Sequence, residues 1–261
     1  MLMAAAYLGK VGVGVTVPQF FRAQDENVYV VKFQNNRLGS RVLVSEFFAA
    51  KFGAIMGLCF PASDIISIDE KILNNNSYLL ELGLEPGLHF ASRYIENTEY
   101  VRKEKLYKAI NVKDMAGVVL FDHMFHNADR AKNHKNLLLR LENEQYKIYA
   151  IDNSHLFRSS RWTIDSLQKL GTKIITYYFR YYRKLLNNIL FFQDFVPYVN
   201  IVRKISNEQI DGIIQEIPQK WLPGEVDRTA LSEYAKIRRD MVDLICEELC
   251  RLIPRSRGGQ K

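Results

Sequence analysis

The stretch from Phe121 to Phe157, FDHMFHNADRAKNHKNLLLRLENEQYKIYAIDNSHLF, holds two dense polar clusters inside an otherwise apolar run. Asn136 to Leu141 and Tyr146 to Ile151 have the composition of strands, and the polar turn Glu142 to Gln145 between them predicts a hairpin. One polar cluster, Asn127 to Asn136, leads into the first strand; the other, Asp152 to His155, leaves the second. The two open ends of a hairpin lie side by side, so this ladder brings Asp129, Asn136 and Asp152 together. Two carboxylates and an amide suit a hard divalent cation such as Mg²⁺, with one carboxylate spare to orient a hydroxyl nucleophile. Phosphoryl transfer is the chemistry that needs this set.

The N-terminal residues add a second pattern. Tyr7 to Thr16, YLGKVGVGVT, reads as a strand, a glycine turn and a second strand, and Gly12 and Gly14 would let backbone amides approach phosphates closely. The spacing fits neither a P-loop nor a dinucleotide fingerprint. Val28 to Phe33 is an apolar strand interrupted by Lys32, and Arg41 to Met56 is an apolar helix carrying Glu46. A strand lysine usually points to solvent; the functional alternative is a lysine that contacts ATP phosphates and pairs with a glutamate on the next helix.

These residues resemble the HipA-like kinases, a bacterial family with a protein-kinase-like fold whose best-known member phosphorylates a protein on serine. The likeness rests on Asp129, Asn136 in NLLL, Asp152 in YAIDNSHLF, and the run QNNRLGSRVLVSEFFAAKFGAIMGL. It implies an ATP- and Mg²⁺-dependent Ser/Thr-protein kinase. Asp129 would be the catalytic residue, Asn136 and Asp152 the metal ligands, and Lys32, Glu46, Gly12 and Gly14 the nucleotide-binding set. Protein kinases place the asparagine five residues after the aspartate, whereas Asn136 lies seven after Asp129 and Asn133 four after; Asn136 is preferred because it abuts the strand. A nucleotide-binding pseudokinase acting as a scaffold, or a lipid or small-molecule kinase, shares the same fold.

The expected class is α+β, two-lobed: a strand-rich N-lobe over residues 1–95, a helical C-lobe over 96–255 and a flexible tail over 256–261, with the lobes meeting near Arg93 to Thr98. Asp64 to Ile68 and Tyr78 to Leu82 read as strands, and Phe90 to Tyr94 leads into the connection that would face adenine. Leu106 to Lys108, Ile110 and Met115 to Phe125 read as helices. From Trp162 onward the chain reads as helical to its end, including Ile174 to Phe195 and Arg228 to Leu252, with Ser206 as a cap answered by Gln209. His123 and His126 share a helix face, where packing is preferred over metal binding.

The net charge of +7 and pI near 9.2 favour anionic partners: nucleotides, acidic proteins or nucleic acid. Aromatics interleaved with arginines between Ile174 and Phe195 could stack on bases, a basic nucleic-acid module being the third reading, but at helical spacing they read as core. Cys59, Cys246 and Cys250 form no framework, so a reducing cytoplasm is expected. No apolar run approaches the roughly 18 residues that span a bilayer, so no membrane span is expected. The acceptor is not written in these residues.

Overall fold

The computed structural model describes residues 1–178 and 181–253. The chain opens with β1 (Leu2–Lys10), β2 (Gln19–Ala23) and β3 (Val28–Lys32), then α1 (Arg41–Ile55), β4 (Ser63–Ile68), α2 (Glu70–Asn74), α3 (Ser77–Glu81) and β5 (Gly87–Arg93). β5 lies antiparallel between β3 and β4, and parallel pairing of Leu2 with Ile66 and Met3 with Ser67 closes the five strands into a barrel. Alternate side chains fill it: Phe21 and Ala23 from β2, Tyr29 and Val31 from β3, Ile66 and Ile68 from β4, with Leu73 and Leu79 supplied by α2 and α3. The same alternation puts Lys32 on the outer face of β3, toward Glu46 of α1.

Two N-terminal expectations are corrected. The second strand starts at Gln19, beyond Thr16, because Val11 to Pro18 forms a loop closed by Val11 N–H to Pro18 O (3.1 Å) and Val17 N–H to Gly14 O (3.2 Å). Within it Gly12 (φ +83°), Gly14 (φ +101°) and Val17 (φ +49°) adopt left-handed backbone that no strand continues. Tyr78 to Leu82 is helical, forming most of α3. Its leucines and Glu81 are good helix formers, and a short apolar run does not reveal its period.

The second half contains β6 (Thr98–Tyr100), α4 (Lys103–Leu106), α5 (Met115–Met124), β7 (Leu137–Glu142) and β8 (Gln145–Ala150). β6, β7 and β8 form a three-stranded sheet. The β7–β8 hairpin has positive φ at both Asn143 and Glu144, the primed turn whose twist suits two antiparallel strands. Then follow α6 (Ile164–Gly171), α7 (Tyr181–Leu186), α8 (Phe192–Arg203), α9 (Asn207–Gln215), α10 (Glu225–Asp240) and α11 (Val242–Cys250). The reciprocal cap between Ser206 and Gln209 opens α9.

Helix does not run unbroken from Trp162. Gly171 ends α6 and Lys173 to Tyr178 is irregular, with the β-branched Ile174, Ile175 and Thr176 at its centre. Part of its polar backbone is satisfied from distant side chains: the buried Arg238 donates to the carbonyls of Lys173 (2.7 Å) and, at the end of α6, Gly171 (3.0 Å), and His123 Nε2 accepts from Tyr177 N–H (2.8 Å). The C-terminal helix is likewise two helices, broken at Met241. Among the described residues of the aromatic run, Tyr178, Tyr182, Phe191 and Phe195 are buried in the core and Phe192 is exposed, so the run serves mainly as packing. His123 and His126 are buried and hydrogen-bonded to protein partners, and Cys246 and Cys250 pack together in the core.

The main core joins α1 to α5 and the C-terminal helices, with Phe48, Phe52, Phe121, Phe125, Phe157 and Tyr234 in mutual contact. Helix α1 is buried nearly all round because it touches barrel strands on one side and α9 on the other. The architecture is thus α+β and two-lobed, with the barrel followed by the helical half. No helix of the described residues is long and apolar enough to cross a membrane. The tail over 256–261 lies outside the described residues.

Candidate active site

The hairpin brings its two flanking loops together as its register requires. Ile151 N–H, just past β8, donates to Asn136 O, just before β7, over 3.0 Å. In the first loop Asn136 Nδ2 donates to Asp129 Oδ2 over 2.7 Å. Asn133 sits behind them: its Oδ1 accepts from Lys135 N–H and its Nδ2 donates to Asn136 Oδ1, both over 3.1 Å. Asn136, not Asn133, therefore rests against Asp129. Among the described residues no donor reaches Asp129 Oδ1.

The second loop meets the barrel. Lys32 Nζ contacts Glu46 Oε1 and lies 3.0 Å from Asp152 Oδ1, so carboxylates from α1 and from the distant loop after β8 converge on one ammonium. Burial works against charge on Lys32, but Asp152 and Glu46 outweigh it and carry its pKa above the ordinary lysine value. Burial would also raise the Asp152 carboxyl, yet Lys32 and the Ser154 hydroxyl, 2.6 Å from Oδ1, hold it well below the usual range. For Glu46, burial prevails over Lys32 and the carboxyl is raised. Asp152 is 36% exposed, and no donor among the described residues reaches its Oδ2. Its φ of +61° places it in the left-handed region, a conformation retained where surrounding contacts over-determine it.

A buried network that the sequence does not advertise braces this loop. Arg130 is fully buried; it pairs with Asp122 and donates to Asn153 Oδ1 (2.6 Å) and Ile151 O (3.2 Å). Its guanidinium is thus occupied in the core beneath the loop and is not exposed. Asp122 also accepts from the Tyr182 hydroxyl, and burial lifts its carboxyl to about 6 against the pull of Arg130. The one trace in sequence is a lone carboxylate inside an apolar helix, Asp122 in VVLFDHMF; its partner Arg130 lies in the loop beyond.

The glycine loop belongs to the same end of the barrel. Lys10 pairs with Gln19 and Gln19 with Val31, so Val11 to Pro18 projects from the end of the sheet at which Lys32 sits. Arg37 Nε fastens the loop by donating to Val15 O over 2.6 Å, and Arg161 donates to Arg37 O over 3.2 Å. Lys32, Glu46 and Asp152 meet directly, and the backbone bond between the two hairpin loops sets Asn136 and Asp129 beside the Asp152 loop. Oxygen donors from an aspartate and an asparagine fit a hard divalent cation, and a lysine beneath glycine-rich backbone fits nucleotide phosphates.

Known proteins share this frame. A family model described as HipA-like kinase matches residues 6–247. The Helicobacter pylori proinflammatory kinase CtkA is similar with a TM-score of 0.58 and 14% identity, covering 94% of this chain and 93% of that one. The Golgi casein kinase with Mn/ADP bound gives 0.53 and 9%, covering 95% and 73%. HipA of Shewanella oneidensis MR-1, in complex with HipB and operator DNA, gives 0.50 and 12%, covering 94% and 67%. At such identities the likeness shows the fold, which is protein-kinase-like. No curated protein matches the chain.

Proposed function

Because the chain belongs to the HipA-like kinase family, and is by that membership a phosphotransferase, we propose that it uses ATP and Mg²⁺ to phosphorylate a serine or threonine of a protein. The observation that carries this reading is the contact of Lys32 with both Glu46 and Asp152. When bound, ATP supplies the γ-phosphoryl group and Mg²⁺ neutralises charge that develops on it.

Lys32, held by Glu46, would neutralise phosphate oxygens, and backbone N–H groups near Gly12 and Gly14 would cover them. Asp152 through its free Oδ2, and Asn136 through Oδ1, would hold the cation. Asp129 would align the acceptor hydroxyl on its unpartnered Oδ1 and take the proton late, since a loose transition state needs little base strength. Asn136 fixes that carboxylate by donating to its other oxygen. Support for a protein acceptor comes from the resemblance to a family known for serine phosphorylation and from the casein kinase among the similar structures. The three free cysteines support a reducing compartment, and we place the protein in the cytoplasm.

The test is phosphate transfer from labelled ATP to the protein itself and to lysate proteins, with Asp129→Ala and Asp152→Ala alongside. Loss in both variants is expected; retention in both removes the assignment.

A further inference from the structure

A second cavity, of about 240 Å³, lies beside the Asp129 loop. Arg102 and Lys103 enter it from the start of α4, Lys184 from α7, and His134 from the loop itself, two residues before Asn136. The His134 ring is flanked by Tyr100 at 6.1 Å and Tyr181 at 5.8 Å between centroids, which fixes the loop side of the cavity. Among the described residues neither Arg102, Lys103 nor Lys184 has a carboxylate partner, although the nearby Lys105 and Lys113 are paired with Glu99 and Asp194. The one acid lining it is Glu104. Exposed Lys132 and Lys135 extend the positive charge along the loop that begins at Asp129.

Three permanent cations drawn from two separate segments repel one another, and an arriving anion relieves that repulsion. The volume admits one or two side chains of an extended segment and excludes a folded domain. We propose that this cavity receives aspartate or glutamate side chains flanking the acceptor hydroxyl, so that the substrate is an acidic protein segment. The inference rests on the kinase reading, because it takes the Asp129 loop as the place where the hydroxyl sits. It gives the basic balance of the chain a specific use: like-charged substrates are repelled and acidic ones are steered toward Asp129.

The test uses the full chain and fluorescein-labelled serine peptides that differ only in flanking glutamate, glutamine or lysine, with binding read by anisotropy at low salt. The glutamate peptide should bind at least about tenfold tighter than the glutamine peptide, and added salt should weaken it. Combined Lys103→Glu and Lys184→Glu should abolish the preference, while an unchanged melting temperature shows that the exposed substitutions leave the fold intact. Equal binding of the glutamate and glutamine peptides, or a preference that survives the double substitution, overturns the proposal. So does a single-stranded oligonucleotide that binds more tightly and displaces the peptide, which would assign the cavity to nucleic acid. A preference without any phosphate transfer supports the docking site and counts against the kinase reading alone.

Discussion

The backbone N–H of Asn153 donates to Glu46 Oε2 over 3.1 Å, so the carboxylate that holds Lys32 also holds the residue next to Asp152. Helix α1, strand β3 and the loop after β8 are thereby fastened at one buried point. Displacing α1 would release the lysine and the loop together, which makes the position of this helix a condition for the assembled site.

Replacing Lys32 tests that point. Lys32→Met leaves Glu46, 4% exposed, without its cation. Breaking such a pair should cost about 3 kcal/mol of stability, and transfer from ATP should fall at least about a hundredfold. Urea denaturation and labelled-ATP transfer measure the two; an unchanged midpoint contradicts the pairing.

Asp152→Ala removes the free Oδ2 but leaves Lys32 with Glu46. Transfer should drop on the order of a thousandfold through lost cation-held charge, with a smaller effect on stability than that of Lys32→Met. Thermal shift with Mg²⁺ and ATP should lose its metal-dependent part, and a full shift in the variant would exclude Asp152 as a ligand.

Acid should destabilise the fold before carboxylates are broadly protonated. Burial pushes His89 and His123 down to about 4 and His126 to about 3, against about 6.5 in an unfolded chain. A histidine depressed on folding favours the native state above its unfolded pKa. As pH falls below about 6.5, the unfolded chain takes up protons that the native chain refuses, so stability drops toward about pH 4. Asp122, raised to about 6, and Glu46, also raised, work in the opposite direction as pH falls but are two groups against three. Denaturation midpoints followed from neutral pH downward should therefore decline; a flat profile would mean that these imidazoles are accessible to protons.

Gly14→Ala probes the loop over the cleft. At φ +101° a side chain is strained, and its Cβ would sit 3.2 Å from Pro18 Cδ. A local cost of about 1 kcal/mol is expected, appearing as a several-fold higher KM for ATP with little change in kcat. Steady-state kinetics decide it, and an unaltered KM would detach this loop from nucleotide binding.

What was legible in the sequence was what local pattern carries. The β7–β8 hairpin, the adjacency of its two flanking loops, and the placement of Lys32 on a strand before the Glu46 helix all follow from period and order. The links between them are long-range and leave no periodic trace. Asn153 to Glu46, Asp122 to Arg130, and Arg238 to the carbonyls of Gly171 and Lys173 become visible only when helices pack. Arg130 is the sharpest instance: its neighbour in sequence is Asp129, but its partner in space is Asp122, because a guanidinium inside the core must find a buried carboxylate. Lys173 to Tyr178 escaped for a related reason, since Lys173 O and Tyr177 N–H are held by Arg238 and His123 from distant helices.

The parallel zipper of Leu2 and Met3 against Ile66 and Ser67 has a consequence for how other molecules can engage this half of the protein. Every strand has a neighbour on both sides, but β1 meets β4 only at Leu2 and Met3, so among the described residues the stretch of selvedge left open to another polypeptide is β1 beyond Met3. Elsewhere on the barrel, recognition must rely on side chains of the outer wall or on the loops at either mouth, and fibril stacking through β2, β3, β4 or β5 is disfavoured.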